Sequence, residues 1–386
     1  MKKNKYLWEW MKIVSKNMSH LSLPQVSGLA TWSFGMVMTQ SSSISRVSEL
    51  IAKLNNEKSN TVRQRLKEWY QEKEAKKGKK RTELIVSDCF VPLLKWIISL
   101  LPSENKQLPL AIDATNIKQV FTVLSLNVLY QGCSIPIAWK IVIGTEKGSW
   151  KPYWRELLKT FKSVIPSDWL VIVTADRGLY ARWLFEEIVN IGWHPFLRIN
   201  HQGTYQLKNH KSWFPLNKII SIDDLFSQKV TCFKTNPLQC TLLGQWKKNY
   251  QAPWLIVTDL EPKEANIAWY GFRSWIESGY RDFKSDGWLW HNTRLLNPNR
   301  AERLWLAMAV ATLWVISQGD NNQVSPYESI SPNNQVSFYP RFKPTNNLSC
   351  FLNGLLNIVV NFLQGHTITL FPLSCYHFPT PVLNSS

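Results

Sequence analysis

The order of apolar segments between residues 108 and 199 constrains the fold of this chain more than any other feature. Three β-branched runs follow one another and predict three successive strands: LPLAIDA (108–114), QVFTVLSLNVLY (119–130) and CSIPIAWKIVIG (133–144). Helix-like and strand-like segments then alternate, in the order WKPYWRELLKTFKSVI, WLVIVTA, LYARWLFEEIVNIG and WHPFLRI. A strand meander followed by this alternation predicts an α/β (mixed α+β) fold, in which helices flank a mixed sheet.

Two aspartates end apolar runs of this region. Asp113 ends the run in LPLAIDAT, and Asp176 ends the run in WLVIVTADRG. A strand that stops at an acidic residue places a carboxylate at the rim of a sheet, where open α/β folds bind ligands. Either aspartate alone also fits a turn or a helix cap. Asp259 ends a similar run, PWLIVTDL, but Asp176 is preferred because Arg177, Gly178 and a helix-like segment follow it.

A third acidic residue, Glu277, lies in the segment YGFRSWIESGYRDFK with Tyr270, Arg273 and Lys284. On one helix, the three spacings between these four residues place their side chains on a single face about 60° wide. A carboxylate between two cations and a phenol suits a site that holds a metal ion and phosphate together. The alternative is a solvated helix face with an ordinary Arg273–Glu277 pair. Gly279 either lets DNA approach this helix closely or breaks the helix.

The combination of these acids carries more weight than any one of them. Asp113, Asp176 and Glu277 together supply three hard oxygen ligands. Such ligands suit a phosphoryl-transfer site with two Mg²⁺ ions about 4 Å apart, which stabilise the attacking and leaving oxygens. The sequence therefore predicts that the three acids meet in space, although they are far apart along the chain.

The chain resembles DDE-type insertion-sequence transposases, and within them the group with a Tyr-Arg-Glu-Lys signature. Tyr270, Arg273, Glu277 and Lys284 reproduce its gaps of two, three and six intervening residues, and DATN and DRGLY resemble the family's blocks around its first two aspartates. The resemblance covers roughly residues 105–318. It implies an RNase H-like catalytic core in which Asp113, Asp176 and Glu277 bind two Mg²⁺ ions, with Mn²⁺ as a substitute. It also implies that Tyr270, Arg273 and Lys284 contact transposon-end DNA.

The resemblance further implies cut-and-paste transposition. The protein would cleave the transposon ends and join the freed ends to target DNA. Relatives with this signature proceed through a DNA hairpin, so the resemblance implies a hairpin intermediate here. Its partners would be double-stranded DNA, namely the terminal inverted repeats and the target, and a second copy of the chain in an active homodimer. Two alternatives stay open from the residues: an RNase H-like nuclease or resolvase without strand transfer, and a catalytically inactive DNA-binding relative.

The sequence also predicts three domains. Residues 1–105 form a helical DNA-binding domain, residues 106–318 the catalytic domain with a β-rich insertion at about 200–265, and residues 319–386 a linker and tail with a possible dimer contact. In the first domain, the amphipathic ISRVSELIAKL, a short turn and the basic TVRQRLKEWYQEKEAKK suggest a helix-turn-helix. Its candidate DNA contacts are Arg63, Arg65 and Lys67. The alternative is a solvated, charged helix hairpin.

Charge and composition favour a polyanionic partner. The 386 residues carry 45 Lys and Arg against 27 Asp and Glu, a formal net charge of +18. We expect no membrane span, because the chain has no uninterrupted apolar run of about 18 residues. The run LWLAMAVATLWVI (304–316) is too short to span a membrane and predicts a buried core helix after the Glu277 segment. The six cysteines form no CxxC pair, which is typical of reduced thiols in a cytoplasmic protein. The expected location is therefore cytoplasmic and associated with the nucleoid.

Overall fold

In the part of the chain that the structure describes, five α-helices precede the first strand. The computed structural model describes residues 4–77, 82–146, 148–248, 250–319 and 348–380. The helices are α1 (Lys5–Asn17), α2 (Leu23–Thr39), α3 (Ile44–Asn55), α4 (Ser59–Tyr70) and α5 (Phe90–Leu100). The predicted pair of helices around a short turn is confirmed as α3 and α4, which pack against each other.

The predicted strand meander and the alternation that follows it are confirmed. The elements are β1 (Gln107–Ile117), β2 (Phe121–Tyr130), β3 (Cys133–Ile143), α6 (Lys151–Lys159), β4 (Leu170–Ala175), α7 (Arg182–Asn190) and β5 (His194–Arg198). Strands β1, β2 and β3 pair antiparallel, and β4 and β5 continue the sheet parallel to β1, in the order β3-β2-β1-β4-β5. This mixed sheet, with helices between its parallel strands, has the architecture that the resemblance to an RNase H-like core implies.

The β-rich segment extends the same sheet. Its strands are β6 (Thr204–Leu207), β7 (Phe214–Pro215), β8 (Leu225–Cys232), β9 (Leu238–Gln245) and β10 (Trp254–Thr258). Strand β10 pairs antiparallel with β5, and β9, β8, β6 and β7 follow it outward. In the described part of the chain, the core and the inserted strands therefore share one ten-stranded sheet. The insertion precedes the helix that carries Glu277, as predicted.

The chain then changes helix type twice. A 3-10 helix (Ile267–Arg273) leads into α8 (Ser274–Arg281), and a π-helix (Asp282–Asp286) follows directly. The prediction of one regular helix through all four signature residues was wrong in this respect. Helices with different numbers of residues per turn do not keep these residues on a common face.

Helix α9 (Pro298–Gly319) lies at the centre of the molecule, and most of its residues are buried. It packs against β3, against α2 and against α10 (Cys350–Leu363). The ring of Trp10 in α1 stacks on Trp314 in α9, with centroids 4.3 Å apart. The helices before residue 105 therefore share a hydrophobic core with the rest of the chain. The predicted buried helix after the Glu277 segment is confirmed.

Close contact between α9 and α10 depends on two glycines. A Cβ on Gly354 would lie 1.9 Å from the Val315 carbonyl oxygen, and one on Gly319 would lie 1.8 Å from that of Cys350.

Residues 320–347, which include most of the predicted linker, lie outside the described part of the chain. Across the helices that the structure describes, none combines the length and apolarity that crossing a membrane requires.

Candidate active site at the edge of the sheet

Asp113 and Asp176 lie at the same level on neighbouring parallel strands. Ala111 of β1 is in register with Thr174 of β4, and each aspartate comes two residues later. Strand β1 continues to Ile117, so Asp113 is not at a strand end, whereas Asp176 directly follows the last residue of β4. Each carboxylate accepts a hydrogen bond of 2.8 Å from the next backbone N–H. The parallel pairing thus brings together two acids that are distant in sequence.

The guanidinium of Arg273 joins all three predicted acids. Its Nη1 lies 2.7 Å from Glu277 Oε1, and its Nη2 lies 3.4 Å from Asp113 Oδ2 and 3.8 Å from Asp176 Oδ2. The side chains of Arg273 and Asp113 are 15% and 19% exposed, so their pair is shielded from water more than surface ion pairs are, whereas Glu277 is 62% exposed. One cation therefore touches a carboxylate from β1, one from the loop after β4 and one from α8.

The two remaining signature residues lie on different helical segments. Tyr270, in the 3-10 helix, donates a hydrogen bond of 3.4 Å from its hydroxyl to Asp176 Oδ1. Lys284, in the π-helix, donates one of 2.6 Å from Nζ to Thr115 Oγ1, two residues beyond Asp113 on β1. The changes of helix type thus set Tyr270 beside Asp176 and Lys284 beside the continuation of β1. All four signature residues still line one edge of the sheet.

Burial and charge act in opposite directions on these groups. Burial raises the pKa of Asp113, Arg273 lowers it, and the neighbouring Asp176 and Glu277 raise it further. Burial lowers the pKa of Lys284, while the negative charge of Asp113 raises it. Burial also raises the pKa of Tyr270, so that its hydroxyl stays protonated and acts as a donor. The site therefore places negative charges close together, and the positive charge of Arg273 offsets part of their repulsion.

Tyr280 supports the site, although the sequence did not indicate it. Its buried hydroxyl donates to the backbone carbonyl of Asp113 at 3.0 Å and shares a hydrogen bond of 2.8 Å with Ser125 of β2. This fixes α8 against the strand that carries Asp113. A tyrosine three residues after Glu277 is the available signal, but the sequence alone does not show which strand it reaches.

Arg198, the last residue of β5, was also missed. Its Nη1 lies 3.8 Å from Asp176 Oδ1. A basic residue at the end of the strand that follows the Asp176 strand was the available signal. Both residues lie at the carboxyl edge because β4 and β5 are parallel.

Gly279 lies where α8 packs against β3. It lies inside α8, which continues to Arg281, so it does not break the helix. A Cβ at this position would lie 1.9 Å from Ser134 Oγ of β3. The glycine thus permits close approach of the sheet and not of DNA, and both expectations for it were wrong.

Asp259 lies apart from the three acids. Its carboxylate oxygens are 3.0 and 3.1 Å from Nδ1 of His194, the first residue of β5. Because β10 runs antiparallel to β5, the end of β10 meets the start of β5, at the opposite edge from Asp176. Strand direction thus separates two aspartates that follow similar apolar runs.

The donor chemistry of the site fits a divalent cation. Carboxylate oxygens are the ligands that Mg²⁺ prefers, and each of the three carboxylates has an oxygen within 3.8 Å of the Arg273 guanidinium. Within the described ranges, no group of three or more His, Cys, Asp or Glu side chains is already arranged to hold a metal ion. Arg273 provides the positive charge at this position.

The predicted DNA contacts of the N-terminal region lie on α4 and do not belong to the acidic site. Arg63 donates a hydrogen bond of 2.7 Å to Ser45 Oγ of α3, and Arg65 lies 2.6 Å from Glu57. Lys67 is exposed on the same helix. The structure keeps the three residues on a solvent-facing helix, two of them held by contacts to the preceding segment.

Comparison with known proteins identifies a family. No curated protein matches the chain. Among solved structures, the cryo-EM structure of a piggyBac transposase synaptic complex with hairpin DNA is similar at 12% sequence identity. It has a TM-score of 0.38, and the match covers 80% of this chain and 71% of that one, too weak a likeness to carry an argument. The family model for the transposase DDE domain matches residues 104–314, which is more than half of the chain. The chain therefore belongs to the transposase DDE domain family.

Proposed function

We propose that this protein is a DNA transposase of an insertion sequence, which cleaves the element's ends and joins them to target DNA. One observation carries the proposal beyond family membership: a single guanidinium contacts Asp113, Asp176 and Glu277. Acids from two strands and a helix meet at one sheet edge, and a phenol and two cations accompany them. This composition suits phosphoryl transfer to and from DNA.

The three acids would hold the metal ions. Asp113, Asp176 and Glu277 offer oxygen ligands suited to two Mg²⁺ ions, or to Mn²⁺ in their place. Bound divalent ions would supply charge stabilisation to the attacking and leaving oxygens of an in-line displacement. The protein's own contribution is rigidity: Tyr280 and the parallel β1–β4 pairing keep the carboxylates at a defined separation.

The other signature residues would hold the transposon end. Arg273 and Lys284 are cations beside the acids, and both can donate hydrogen bonds to phosphate oxygens. Tyr270 adds a neutral donor next to Asp176. Positioning and charge stabilisation are the main contributions that a protein makes to this chemistry. The finer route, with a hairpin at the cleaved end and then strand transfer, is part of the proposal.

The partners follow from charge and reaction. Terminal inverted repeats would bind α3 and α4 through Arg63, Arg65 and Lys67, and two copies of the chain would hold the two ends of one element. The net charge of +18 supports a polyanionic partner.

The Asp176→Asn variant tests the proposed role of the site. We expect it to lose metal-dependent cleavage of a labelled terminal duplex and joining of a pre-cut end to a plasmid, because a carboxylate ligand is removed. Asp259→Asn is the matched control, since it makes the same change at the end of β10, and we expect it to keep most of both activities. If Asp176→Asn kept cleavage and Asp259→Asn lost it, the metal ligand would be Asp259, after β10, and the assignment to Asp176 would be wrong.

A further inference from the structure

A basic groove runs along α6, away from the acidic site. It has a volume of about 630 Å³ and is lined by Lys151, Pro152, Arg155, Glu156, Lys159 and Thr160. Lys151, Arg155 and Lys159 recur every fourth residue, so they form a row on one side of the helix. Three of the six lining residues are cations and one is acidic. We call this groove, with Trp183 of α7, the α6–α7 surface.

Trp183 orders two of these cations. Lys151 Nζ lies 5.5 Å and the Arg155 guanidinium carbon 5.9 Å from its ring centroid. Both distances are within the range of a cation–π interaction. Arg155 is also held by Glu187, with Nε 3.1 Å from Oε2. These contacts position Lys151 and Arg155, the first two charges of the row.

The two lysines of the row can bind an anion. Over the residues that the structure describes, Lys151 and Lys159 make no ion pair, and Lys159 is exposed at the end of α6. Two of the three cations in the row, one of them exposed and one partly exposed, therefore have no carboxylate partner, which suits a polyanion. Consecutive members are about 6 Å apart along the helix axis. The phosphates of one DNA strand are about 3.4 Å apart along the duplex axis. Neighbouring cations of the row are therefore spaced by roughly two phosphates of a single strand.

The α6–α7 surface lies on the opposite face of the sheet from α8. Alternate residues of a strand point to opposite faces. Residues packed with the α8 segment are Ala111, Ile172 and Phe196. Their neighbours on the same strands belong instead to the core that contains the buried side chains of α6 and α7: Leu110, Val173, Leu197, Leu158 and Leu184. A duplex held by Arg273 and Lys284 on the α8 side would leave this surface free.

The surface nevertheless reaches the edge that carries the acids. Strand β3 runs parallel to β1, because both pair antiparallel with β2, so α6 begins near the carboxyl edge. Helix α7 begins at Arg182, six residues after Asp176, at the same edge. DNA lying along the α6–α7 surface therefore leads toward the acidic site from the face that α8 does not cover.

We propose that the α6–α7 surface binds the sugar–phosphate backbone of the target duplex. This rests on the proposed function, because strand transfer brings a second duplex to the site that already holds an element end. The groove presents lysine and arginine with no asparagine or glutamine among its lining residues. Phosphate contacts position a duplex without reading its bases, which suits a target that is bound independently of its sequence.

The test is the double variant Lys151→Gln/Lys159→Gln in the full-length protein. Binding to a labelled duplex of random sequence is measured in EDTA over a range of salt concentrations. Two lost phosphate contacts should reduce the salt slope of log K by about 1.8, at roughly 0.9 per contact. Binding of a terminal-repeat duplex and cleavage of that duplex should be unchanged, whereas joining of a pre-cut end to a plasmid should fall.

The control is Lys218→Gln/Lys234→Gln, which removes two exposed lysines from the inserted strands and their turns. An unchanged salt slope in the α6 variant would overturn the proposal. So would an equal loss in the control, or an equal loss for terminal and random duplexes. Because binding is read without metal, these outcomes are distinct from a failure of the proposed catalysis, which would appear as absent cleavage in the unmodified protein.

Discussion

At the scale of single residues, the candidate site depends on groups that balance charge in a partly buried place. Arg273 contacts three carboxylates, and burial raises the pKa of Asp113 against the effect of that guanidinium. A second buried acid, Asp282, lies in the π-helix that carries Lys284. Burial, with a further contribution from Asp286, raises the pKa of Asp282 to about 7, while Arg281 opposes the shift.

Asp282 makes the stability of the protein depend on pH. The folded state holds the proton more tightly than the unfolded chain, whose pKa is near 3.8. The free energy of unfolding therefore falls as the pH rises from about 4 to about 7, because the folded state binds the proton more tightly. Above about pH 7 this group causes no further change. Asp282→Asn should remove this loss and raise the free energy of unfolding at pH 8 by up to about 4 kcal/mol, at 1.36 kcal/mol per pKa unit.

Denaturant unfolding at pH 5 and pH 8 checks this expectation. The gain from Asp282→Asn should be larger at pH 8 than at pH 5. Asp286→Asn, at an exposed position four residues later, should give a smaller gain in the same direction, because Asp286 only adds to the rise that burial causes in the pKa of Asp282. An equal gain at both pH values would show that the carboxyl of Asp282 does not titrate in this window.

At the scale of elements, α8 lies very close to β3, and this contact sets the position of Glu277. The contact exists because residue 279 is glycine and Ser134 faces it. Tyr280 then ties α8 to β1 and β2 through Asp113 and Ser125. The helix is only eight residues long, so its position depends on these contacts more than on its own helix propensity.

Gly279→Ala should therefore destabilise the protein. The higher helix propensity of alanine contributes about 1 kcal/mol in favour of the variant. Overlap of the new Cβ with Ser134 Oγ outweighs it, and overpacking of this kind costs roughly 1–3 kcal/mol. Cleavage should also slow, because α8 carries Glu277. Adding Ser134→Ala should restore part of the stability, measured as the coupling energy in a double-mutant cycle of urea unfolding. Additive effects would exclude the contact as the cause.

At the scale of the whole molecule, the N-terminal helices and the catalytic core are joined through α9. Arg303 of α9 is 4% exposed and donates hydrogen bonds to the carbonyls of Tyr70 at 2.8 Å and Leu84 at 3.0 Å. It also forms an ion pair with Glu83. The division of the chain near residue 105 stays a prediction, and the shared core shows that buried residues of α4 and α9 belong to one hydrophobic cluster.

Arg303→Leu should weaken this junction strongly. The change leaves the partly exposed Glu83 and the carbonyls of the buried Tyr70 and Leu84 without their donor, and each buried acceptor left unsatisfied costs roughly 1–3 kcal/mol. Thermal unfolding and limited proteolysis between α4 and α5 measure the effect. Arg300→Gln is the control, because Arg300 is 31% exposed and its pair with Glu72 should contribute only about 1 kcal/mol or less. Similar losses in both variants would contradict a special role for Arg303.

Local patterns in the sequence were sufficient for much of the fold. The β-branched runs predicted β1 to β5 in order, and apolar spacing predicted α6, α7 and the buried α9, because side-chain period reflects which face of an element is buried. The same reading placed the inserted strands before the Glu277 segment. It did not show that these strands extend the core sheet, because pairing between distant strands leaves no local pattern.

The sequence by itself determined which residues are candidates for the site, since residue type and spacing carry that information. Only the tertiary structure decided how they meet. Strand direction set Asp176 beside Asp113 and put Asp259 at the opposite edge. Changes of helix type separated Tyr270 and Lys284, which a regular helix would have aligned. The central position of Arg273, and the support from Tyr280, arise from contacts between segments far apart in the chain. Such contacts depend on how whole elements pack, and no local rule of spacing contains them.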